Sequence, residues 1–366
     1  MGGFAVIPWW KLRREVNRLA QQLNAIPEFF WEPIARRRHD RSLMRGFPIT
    51  IGAQDVAPKV AILLLYQPSG LAKSVALTCR HLTETGHAVL IVSNTPLSDK
   101  DRASLATQVW RIIERPNFGY DFGGYRDGLW HLSLWGIRPE RLVILNDSIW
   151  FPLRENDTTL ARMEAMPVDV AGTILRERGA ERFLESYLFS MRGAILQHPA
   201  FQTFWRDFRL TSNKYKVIRR GERGFSAALW NAGFKLHPMF SATMFLSLLR
   251  QQDDAFLEKT IQFGVAMTAS QSAEREAILL ATRDKDWRSA ALNHIERVLQ
   301  SSQFYSAFPY ASVQLLNYPI LKRSGDMALV LWRRAYLAAI EAGELDAPMP
   351  EIAAELRTQV TQDAGI

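Results

Sequence analysis

Four strand-sized apolar runs that alternate with helical segments constrain the fold of this chain more than any other feature. The runs are KVAILLLYQ from residue 59, HAVLIVSNT from 87, VWRIIER from 109 and RLVILNDS from 141. Short runs of this kind are typical of parallel strands that are buried on both faces and joined by crossover helices. The pattern predicts an α/β domain with a mainly parallel sheet. Ligands of such open sheets bind at the carboxyl ends of the strands.

A glycine-rich segment, PNFGYDFGGYRDGL at 116–129, follows the third run. Glycine is unfavourable inside helices and strands, so we expect a loop here, with the next helix at YRDGLWHLSLWG, residues 125–136. Glycines let backbone N–H groups approach a phosphate, yet the segment is neither a Walker A loop nor a dinucleotide fingerprint. A ligand loop and a structural turn therefore remain alternatives.

Asp147 ends the fourth apolar run, in the sequence RLVILND. A carboxylate is costly to bury there unless it is paired or binds a metal. At the ligand edge it is suited to hold Mg²⁺ or Mn²⁺ against a pyrophosphate, or to accept a sugar hydroxyl; capping the next segment is the alternative. Because both segments follow strands of one sheet, we expect Asn117, Asp121 and Asp147 to converge on one cleft.

Two further acids are candidate general bases. Glu222 is predicted at the start of a helix, GERGFSAALWNAGF, that ends at Gly233. It is suited either to accept a proton or to stabilise the helix dipole, which would lower its basicity. Glu185 stands in the apolar stretch LESYLF, where a site acid and an ion-pair partner of Arg192 are the alternatives.

The positive charge is concentrated near the N-terminus. The net charge is +8, and residues 1–50 hold nine Arg or Lys against four acids. Between residues 9 and 23, apolar residues recur at helical spacing among basic ones: Trp9, Leu12, Val16, Leu19 and Leu23. This predicts a basic amphipathic helix that lies on an anionic membrane surface or packs on the body. The run Arg36-Arg37-Arg38 then leads into a predicted linker that ends near Pro58.

The chain is expected to be cytoplasmic, peripheral at the inner face of the plasma membrane. No stretch approaches the ~18 apolar residues that cross a bilayer, and the N-terminus lacks the order of a signal peptide. Three regions are predicted: a basic helical extension and linker at 1–57, an α/β domain at 58–245 and a mostly helical region at 246–366. Nucleic-acid binding through the basic N-terminus is the weaker alternative, and no nucleic-acid partner is expected.

The motifs, in this order, resemble the rhamnan synthesis protein F family, whose members are glycosyltransferase-like proteins of bacterial cell-surface polysaccharide assembly. The resemblance covers roughly residues 58–240, with a weaker tail that includes PILKR at 319–323. It is carried by LIVSNTPL (90–97), ERPNFGYDFGGYRDGL (114–129), LVILNDSIWFPL (142–153), LESYLFSMR (184–192), FWRDF (204–208) and GERGFSAALWNAGF (221–234).

The resemblance implies a Rossmann-like, GT-A-like sheet flanked by helices, followed by a helical C-terminal region. It also implies a hexosyltransferase of the bacterial cell envelope. Such an enzyme would transfer rhamnose or a related sugar from a nucleotide sugar, a dTDP- or GDP-sugar, to a surface polysaccharide such as lipopolysaccharide or to a lipid-linked glycan. A non-catalytic module that binds a glycan or lipid carrier on the same scaffold is the alternative.

Particular residues follow from the resemblance by position. Asn146, Asp147 and Ser148 would take the place of the metal- or sugar-binding DxD motif, in which Asp147 would hold Mg²⁺ or Mn²⁺, although NDS has one carboxylate where DxD has two. Glu222, or less favourably Glu185, would remove the proton of the acceptor. The residues expected to line the donor pocket are Asn94, Asn117, Gly119, Asp121, Gly123, Asn146 and Ser148.

Overall fold

The computed structural model of the chain describes residues 25–178 and 181–363. The amphipathic helix expected at residues 9–23 lies outside them. Helix α1 spans Ala25–Arg45, and strand β1 spans Ile49–Ile51. The arginine run at 36–38 is therefore helical, and the prediction of a linker from there to Pro58 is wrong. Among the described helices, none has the length and apolar character needed to cross a membrane.

One mixed sheet forms the centre of the protein. The strands that follow β1 are β2 (Lys59–Leu65), β3 (His87–Ser93), β4 (Arg111–Glu114), β5 (Arg141–Asn146), β6 (Ile149–Trp150), β7 (Val170–Arg178), β8 (Glu181–Leu184), β9 (Leu188–Arg192), β10 (Leu236–Phe240) and β11 (Leu321–Lys322). The strands of the central sheet lie in the order β1-β4-β3-β2-β5-β9-β7-β10, and β8 pairs with β7 alone. A separate two-stranded sheet joins β6 to β11.

The four predicted strands are confirmed as β2 to β5, and they are parallel to one another. β9 is antiparallel to β5 and to β7, while β10 is parallel to β7. The carboxyl ends of β2, β3, β4, β5, β7 and β10 therefore lie along one edge of the sheet, together with the start of β9. We call this edge the carboxyl edge.

Helices cover both faces of the sheet, which confirms the predicted α/β class with a helical C-terminal region. A 3₁₀ turn at Gly193–Gln197 and a π-helical turn at Arg219–Arg223 interrupt the series. After α1, the helices are α2 (Lys73–Glu84), α3 (Asp99–Ala106), α4 (Tyr120–Leu134), α5 (Thr159–Ala165), α6 (Pro199–Asp207), α7 (Lys214–Ile218), α8 (Gly224–Asn231), α9 (Ala242–Leu249), α10 (Asp254–Gln262), α11 (Ala269–Leu280), α12 (Trp287–Leu299), α13 (Phe304–Ala307), α14 (Pro309–Leu316), α15 (Met327–Glu341) and α16 (Pro350–Asp363).

Alternate residues of the central strands feed two cores, one on each face. Ile62 and Leu64 of β2 pack in a core with residues of α4 and α6. Leu63 and Leu65 pack in the other core, which continues without interruption into the C-terminal helices. This division explains why β2 is apolar at nearly every position. The domain boundaries at 58 and 245 stay a prediction.

Candidate active site

Two carboxylates meet at the carboxyl edge, as the strand order predicts. Asn146 is the last residue of β5, and its Nδ2 donates to Asp121 Oδ2 at 3.0 Å. Asp147 follows it, and its Oδ2 accepts from the Tyr66 N–H at 2.7 Å and from Gln67 Nε2 at 2.6 Å. The predicted convergence of Asp121 and Asp147 on one cleft is therefore a feature of the structure. We call these two residues the acidic pair.

The acidic pair holds its protons more tightly than ordinary aspartates. Burial raises the pKa of Asp121 to about 7, and the charges of Asp147 and Glu222 act in the same direction. Burial also raises the pKa of Asp147, even though its hydrogen bonds from Gln67 and Tyr66 oppose the effect. Lone carboxylates so close together repel, so this cleft favours a proton or another cation.

Glu222 is the third acid of the cleft, and its local structure differs from the prediction. It lies in the π-helical turn between α7 and α8 rather than at the start of a helix. Because the helix continues from α7 through this turn into α8, Glu222 does not stand at a free helix N-terminus, whose dipole would lower its basicity. Its Oε1 accepts from Ser186 Oγ at 2.7 Å and from the Ser186 N–H at 3.2 Å, while burial raises its pKa. A raised pKa and a fixed orientation suit a general base.

Glu185 has the opposite electrostatic environment. Burial alone would raise its pKa, but Lys322 and Arg176 hold it at about 2. Lys322 Nζ donates to Glu185 Oε2 at 2.8 Å, and Arg176 Nε donates to the other oxygen. The predicted ion pair with Arg192 is wrong, because Arg192 Nε donates to the Val168 carbonyl at 3.0 Å. A carboxylate with such a low pKa is a weak proton acceptor, so Glu222 is the better candidate base.

The glycine-rich segment is a short turn followed directly by a helix. α4 begins at Tyr120, so the predicted helix start at 125 is wrong. Gly119 precedes it with φ +85°, and a Cβ there would lie 2.6 Å from Leu210 Cδ2. A Cβ on Gly123 would collide with the Phe118 carbonyl oxygen, and one on Gly124 with Leu64 Cδ1. Gly124 thus permits the close contact of α4 with β2, while Gly119 and Gly123 permit close packing against Leu210 and the Phe118 carbonyl. A role of Gly119 and Gly123 in donor binding stays a prediction.

A buried hydrogen-bond network centred on Arg115 connects Asn94 to the glycine-rich turn. Arg115 Nη1 donates to Asn94 Oδ1 at 2.5 Å, and Arg115 Nε donates to Asp127 Oδ2 at 2.6 Å. His39 of α1 contacts the same carboxylate oxygen at 2.8 Å. Arg115 Nη2 also donates to the Phe118 carbonyl at 2.5 Å. Asn94 is thus positioned to support the turn from below, and its predicted contact with the donor stays untested.

The remaining predicted donor residues lie nearer the surface. Asn117 and Ser148 are exposed. Ser148 Oγ donates to Asn146 Oδ1 at 2.5 Å, and its N–H donates to the same oxygen at 3.2 Å. Asn146 therefore orders the NDS turn while its amide group holds Asp121. Its predicted contact with the donor, like those of Asn117 and Ser148, stays a prediction.

Sequence reasoning missed the basic residues of the site. β11 pairs with β6, aligning Lys322 with Ile149, and the Arg323 N–H donates to the Ser148 carbonyl at 2.8 Å. The Arg323 guanidinium lies 4.7 Å from the centre of the Trp150 ring. It shares with Asn146 and Asp147 the lining of a cavity of about 10 Å³, room for roughly one water. The PILKR motif contains both basic residues and was the available signal in the sequence. Nothing in the motif indicates that Arg323 lies beside the NDS turn.

The described residues contain no group of three or more His, Cys, Asp or Glu side chains that could hold a metal ion. The acidic pair nevertheless supplies two carboxylates. Mg²⁺ in proteins is commonly held by one or two carboxylates, with phosphate oxygens and waters as its other ligands. The residues present fit a metal that is shared with a diphosphate, rather than one held by the protein alone.

A comparison with known families agrees with the motifs. Residues 89–261 match the rhamnan synthesis protein F family. The predicted resemblance is therefore confirmed over these residues. The matched region contains the acidic pair, Glu185 and Glu222, whereas Lys322 and Arg323 lie beyond its end. A relative from Sinorhizobium fredii, described as uncharacterized protein y4gN, is 28% identical over 344 residues, which is 92% of this chain and 89% of the relative.

Solved structures with some similarity to the chain include sugar-processing enzymes. A mannosyltransferase from Pyrobaculum calidifontis, in complex with GDP-Man and Mn²⁺, is 14% identical over 95% of each chain, with a TM-score of 0.29. A mannose-1-phosphate geranyltransferase from Thermus thermophilus is also 14% identical, over 54% of this chain and 80% of its own, with the same TM-score of 0.29. TM-scores this low support no inference about activity or ligands.

Proposed function

We propose that this protein is a glycosyltransferase. It moves a hexose, rhamnose or a related sugar, from a dTDP- or GDP-sugar to a bacterial surface polysaccharide such as lipopolysaccharide, or to a lipid-linked glycan. The match of residues 89–261 to the rhamnan synthesis protein F family supports this class of activity. The observation that carries the proposal is the meeting of Asp121, Asp147 and Glu222 in one cleft at the carboxyl edge, where ligands of open α/β sheets bind.

In this proposal Glu222 is the general base. Ser186 fixes one oxygen of the carboxylate through two hydrogen bonds, which leaves the other oxygen available to the acceptor hydroxyl. The raised pKa of Glu222, which results mainly from burial, brings its proton affinity closer to the value that a base needs near neutral pH. The hydroxyl oxygen then attacks the anomeric carbon as its proton passes to Glu222.

The acidic pair would face the diphosphate side of the donor. Asp147 is held by the Tyr66 N–H and by Gln67, so its unbonded oxygen has a defined direction. Mg²⁺ or Mn²⁺ bound to Asp121 and Asp147 would offset the charge that develops on the leaving diphosphate. The exposed side chains of Asn117 and Ser148 and the turn at Gly119 are the candidate contacts for the sugar and the nucleotide.

Donor binding is the first test. The full chain is melted in the presence of dTDP-, GDP- and UDP-sugars, each with and without Mn²⁺. A ligand that binds the folded state raises the melting temperature, so we expect one nucleotide class to stabilise the protein selectively. Absence of stabilisation by every nucleotide sugar would contradict the proposal.

Catalysis is tested with the donor identified in this way. We expect the purified protein to release the nucleoside diphosphate slowly by hydrolysis and faster with an acceptor glycan. Glu222→Gln and Asp147→Asn should each abolish turnover, while Asp55→Asn, at an exposed position, serves as the matched control. Binding of the donor with no hydrolysis and no transfer would instead identify a non-catalytic glycan- or carrier-binding module.

A further inference from the structure

Helix α1 has one buried face and one exposed face. Glu32, His39 and Leu43 are buried against the body of the protein. On the opposite side of the helix, large apolar side chains face solvent: Trp31 is 65% exposed, Ile34 55% and Met44 68%. Isolated exposed apolar residues are common, but a tryptophan, an isoleucine and a methionine on one helix face require a closer explanation.

The same exposed side carries arginines that form no ion pair with an acid among the residues the structure describes. Arg36, at the border of the buried face, lies 3.5 Å from Asp40 in an ion pair. The exposed arginines of α1 have no carboxylate partner among the described residues: Arg37, Arg38, Arg41 and Arg45. Trp31 and Ile34 precede these arginines on the same side of the helix, so together they form a surface that is both cationic and apolar. We call these arginines, with Trp31, Ile34 and Met44, the cationic face.

Helix α1, which carries the cationic face, packs through its buried face on the segment that carries the candidate base. Glu32 of α1 accepts from Lys216 Nζ and from Arg220 Nη1, each at 3.0 Å. These residues belong to the helical segment from Lys214 through the π-helical turn, which also exposes Tyr215 by 43% and Ile218 by 36%. The same segment contains Glu222, so α1 packs directly on the structural element that carries the candidate base.

We propose that the cationic face, extended by Tyr215 and Ile218, binds an anionic lipid bilayer. Arginines attract anionic headgroups, while tryptophan and aliphatic side chains enter the boundary between headgroups and acyl chains. A second copy of the chain would bring like charges together, and a nucleic acid would leave Ile34 and Met44 exposed. This proposal rests on the proposed function in one respect. If the acceptor is lipid-linked, the bilayer would hold it near Glu222.

Vesicle binding by the full chain tests the proposal. Phosphatidylcholine vesicles are compared with vesicles of equal parts phosphatidylcholine and phosphatidylglycerol. We expect binding to the anionic vesicles only, and weaker binding as salt increases. The quadruple variant Arg37→Gln/Arg38→Gln/Arg41→Gln/Arg45→Gln should bind at least tenfold more weakly, since each basic residue near an anionic surface contributes roughly a fivefold gain in affinity.

A charge-matched variant controls for net charge. It carries four glutamines at exposed basic positions on other elements: Arg80, Lys100, Arg138 and Arg357. This control should bind within about twofold of the wild-type protein if the cationic face is the attachment site. Trp31→Ala/Ile34→Ala should further reduce the binding that persists at high salt, because that fraction depends on apolar burial. Equal melting temperatures would show that every variant is folded.

Three results would overturn the proposal. The first is equal binding by the two quadruple variants, which would place the attachment elsewhere, for instance in residues 1–24. The second is binding of a DNA duplex with the same arginine dependence but no binding of vesicles. The third is a dimer in solution that the Trp31→Ala/Ile34→Ala variant dissociates. Donor hydrolysis in vesicle-free buffer is measured on the same proteins, so loss of vesicle binding is distinguishable from failure of the proposed function.

Discussion

Replacing Asp121 with asparagine should make the protein more stable, and the gain should grow with pH. In the folded protein the pKa of Asp121 is about 7, because of burial and the charges of Asp147 and Glu222, against a usual value of 3.8. Between these two values the folded state holds a proton that the unfolded chain has released. Folding stability is therefore lost as the pH rises through this interval, and the full penalty is present above about pH 7.

The size of the effect follows from the two pKa values. A tenfold change in proton affinity corresponds to about 1.4 kcal/mol. The step from 3.8 to about 7 therefore costs at most about 4 kcal/mol of unfolding free energy. Solvent reaches part of the Asp121 side chain, so the measured value should be smaller. In the wild-type protein Asn146 Nδ2 donates to Asp121 Oδ2 at 3.0 Å. Asp121→Asn removes the ionisable group but keeps a side-chain oxygen that accepts this hydrogen bond.

Urea denaturation at several values from about pH 5 to about pH 8 measures the difference between the variant and the wild-type protein. We expect a difference that is already present at pH 5, because this pH lies above the usual value of 3.8, and that grows by at most about 2.5 kcal/mol between pH 5 and pH 8. Asp55→Asn, at an exposed position, should show no such trend. A difference that stays constant across the range would show that Asp121 ionises normally and that the cleft is not the electrostatic environment described above.

Other predictions concern the same edge of the sheet. Lys322→Met should lower the unfolding free energy measured in urea by about 3 to 5 kcal/mol, since it removes one of the two cations that pair with the buried carboxylate of Glu185. The double variant Glu185→Gln/Lys322→Met should recover most of this loss. Equal losses of stability in the single and the double variant would contradict the pairing. Gly124→Ala should lower stability by about 1 to 3 kcal/mol, whereas Gly224→Ala, where the nearest neighbour of a Cβ is 3.5 Å away, should raise the melting temperature. Mn²⁺ should raise the melting temperature more at pH 8 than at pH 6, because the acidic pair must lose its protons to bind a cation. In a kinetic pH profile, the transfer rate should rise as Glu222 loses its proton, at a pH above the usual carboxylate range; a flat profile would exclude it as the base.

The sequence predicts the meeting of the acidic pair because it depends only on where the strands end and on their being parallel. Asp121 and Asp147 follow the third and fourth apolar runs, and parallel strands bring their carboxyl ends to one edge. The start of α4 could not be predicted in the same way. Glycine lowers helix propensity, but the contact of Gly124 with Leu64 of β2 requires glycine there, and tertiary packing overrides the local preference.

The basic side of the site depends on contacts between distant parts of the chain. Lys322 reaches Glu185 across 137 positions, through a two-residue strand pair that no periodicity reveals. The sequence predicts Glu222 as a candidate base but not the π-helical turn that holds it, since such turns leave little trace in residue spacing. Local patterns therefore predict which acids converge, while the charges that set their pKa values depend on tertiary structure.

The pairing of β6 with β11 has a consequence for protein synthesis. β11 lies at Leu321–Lys322, far beyond residue 261, where the family match ends. In a polypeptide still being translated, Asp121, Asp147, Glu185 and Glu222 are synthesised long before Lys322 and Arg323 leave the ribosome. An incomplete product therefore has Glu185 paired with Arg176 but not yet with Lys322, and under the proposed function we expect it to consume sugar nucleotides more slowly than the full chain.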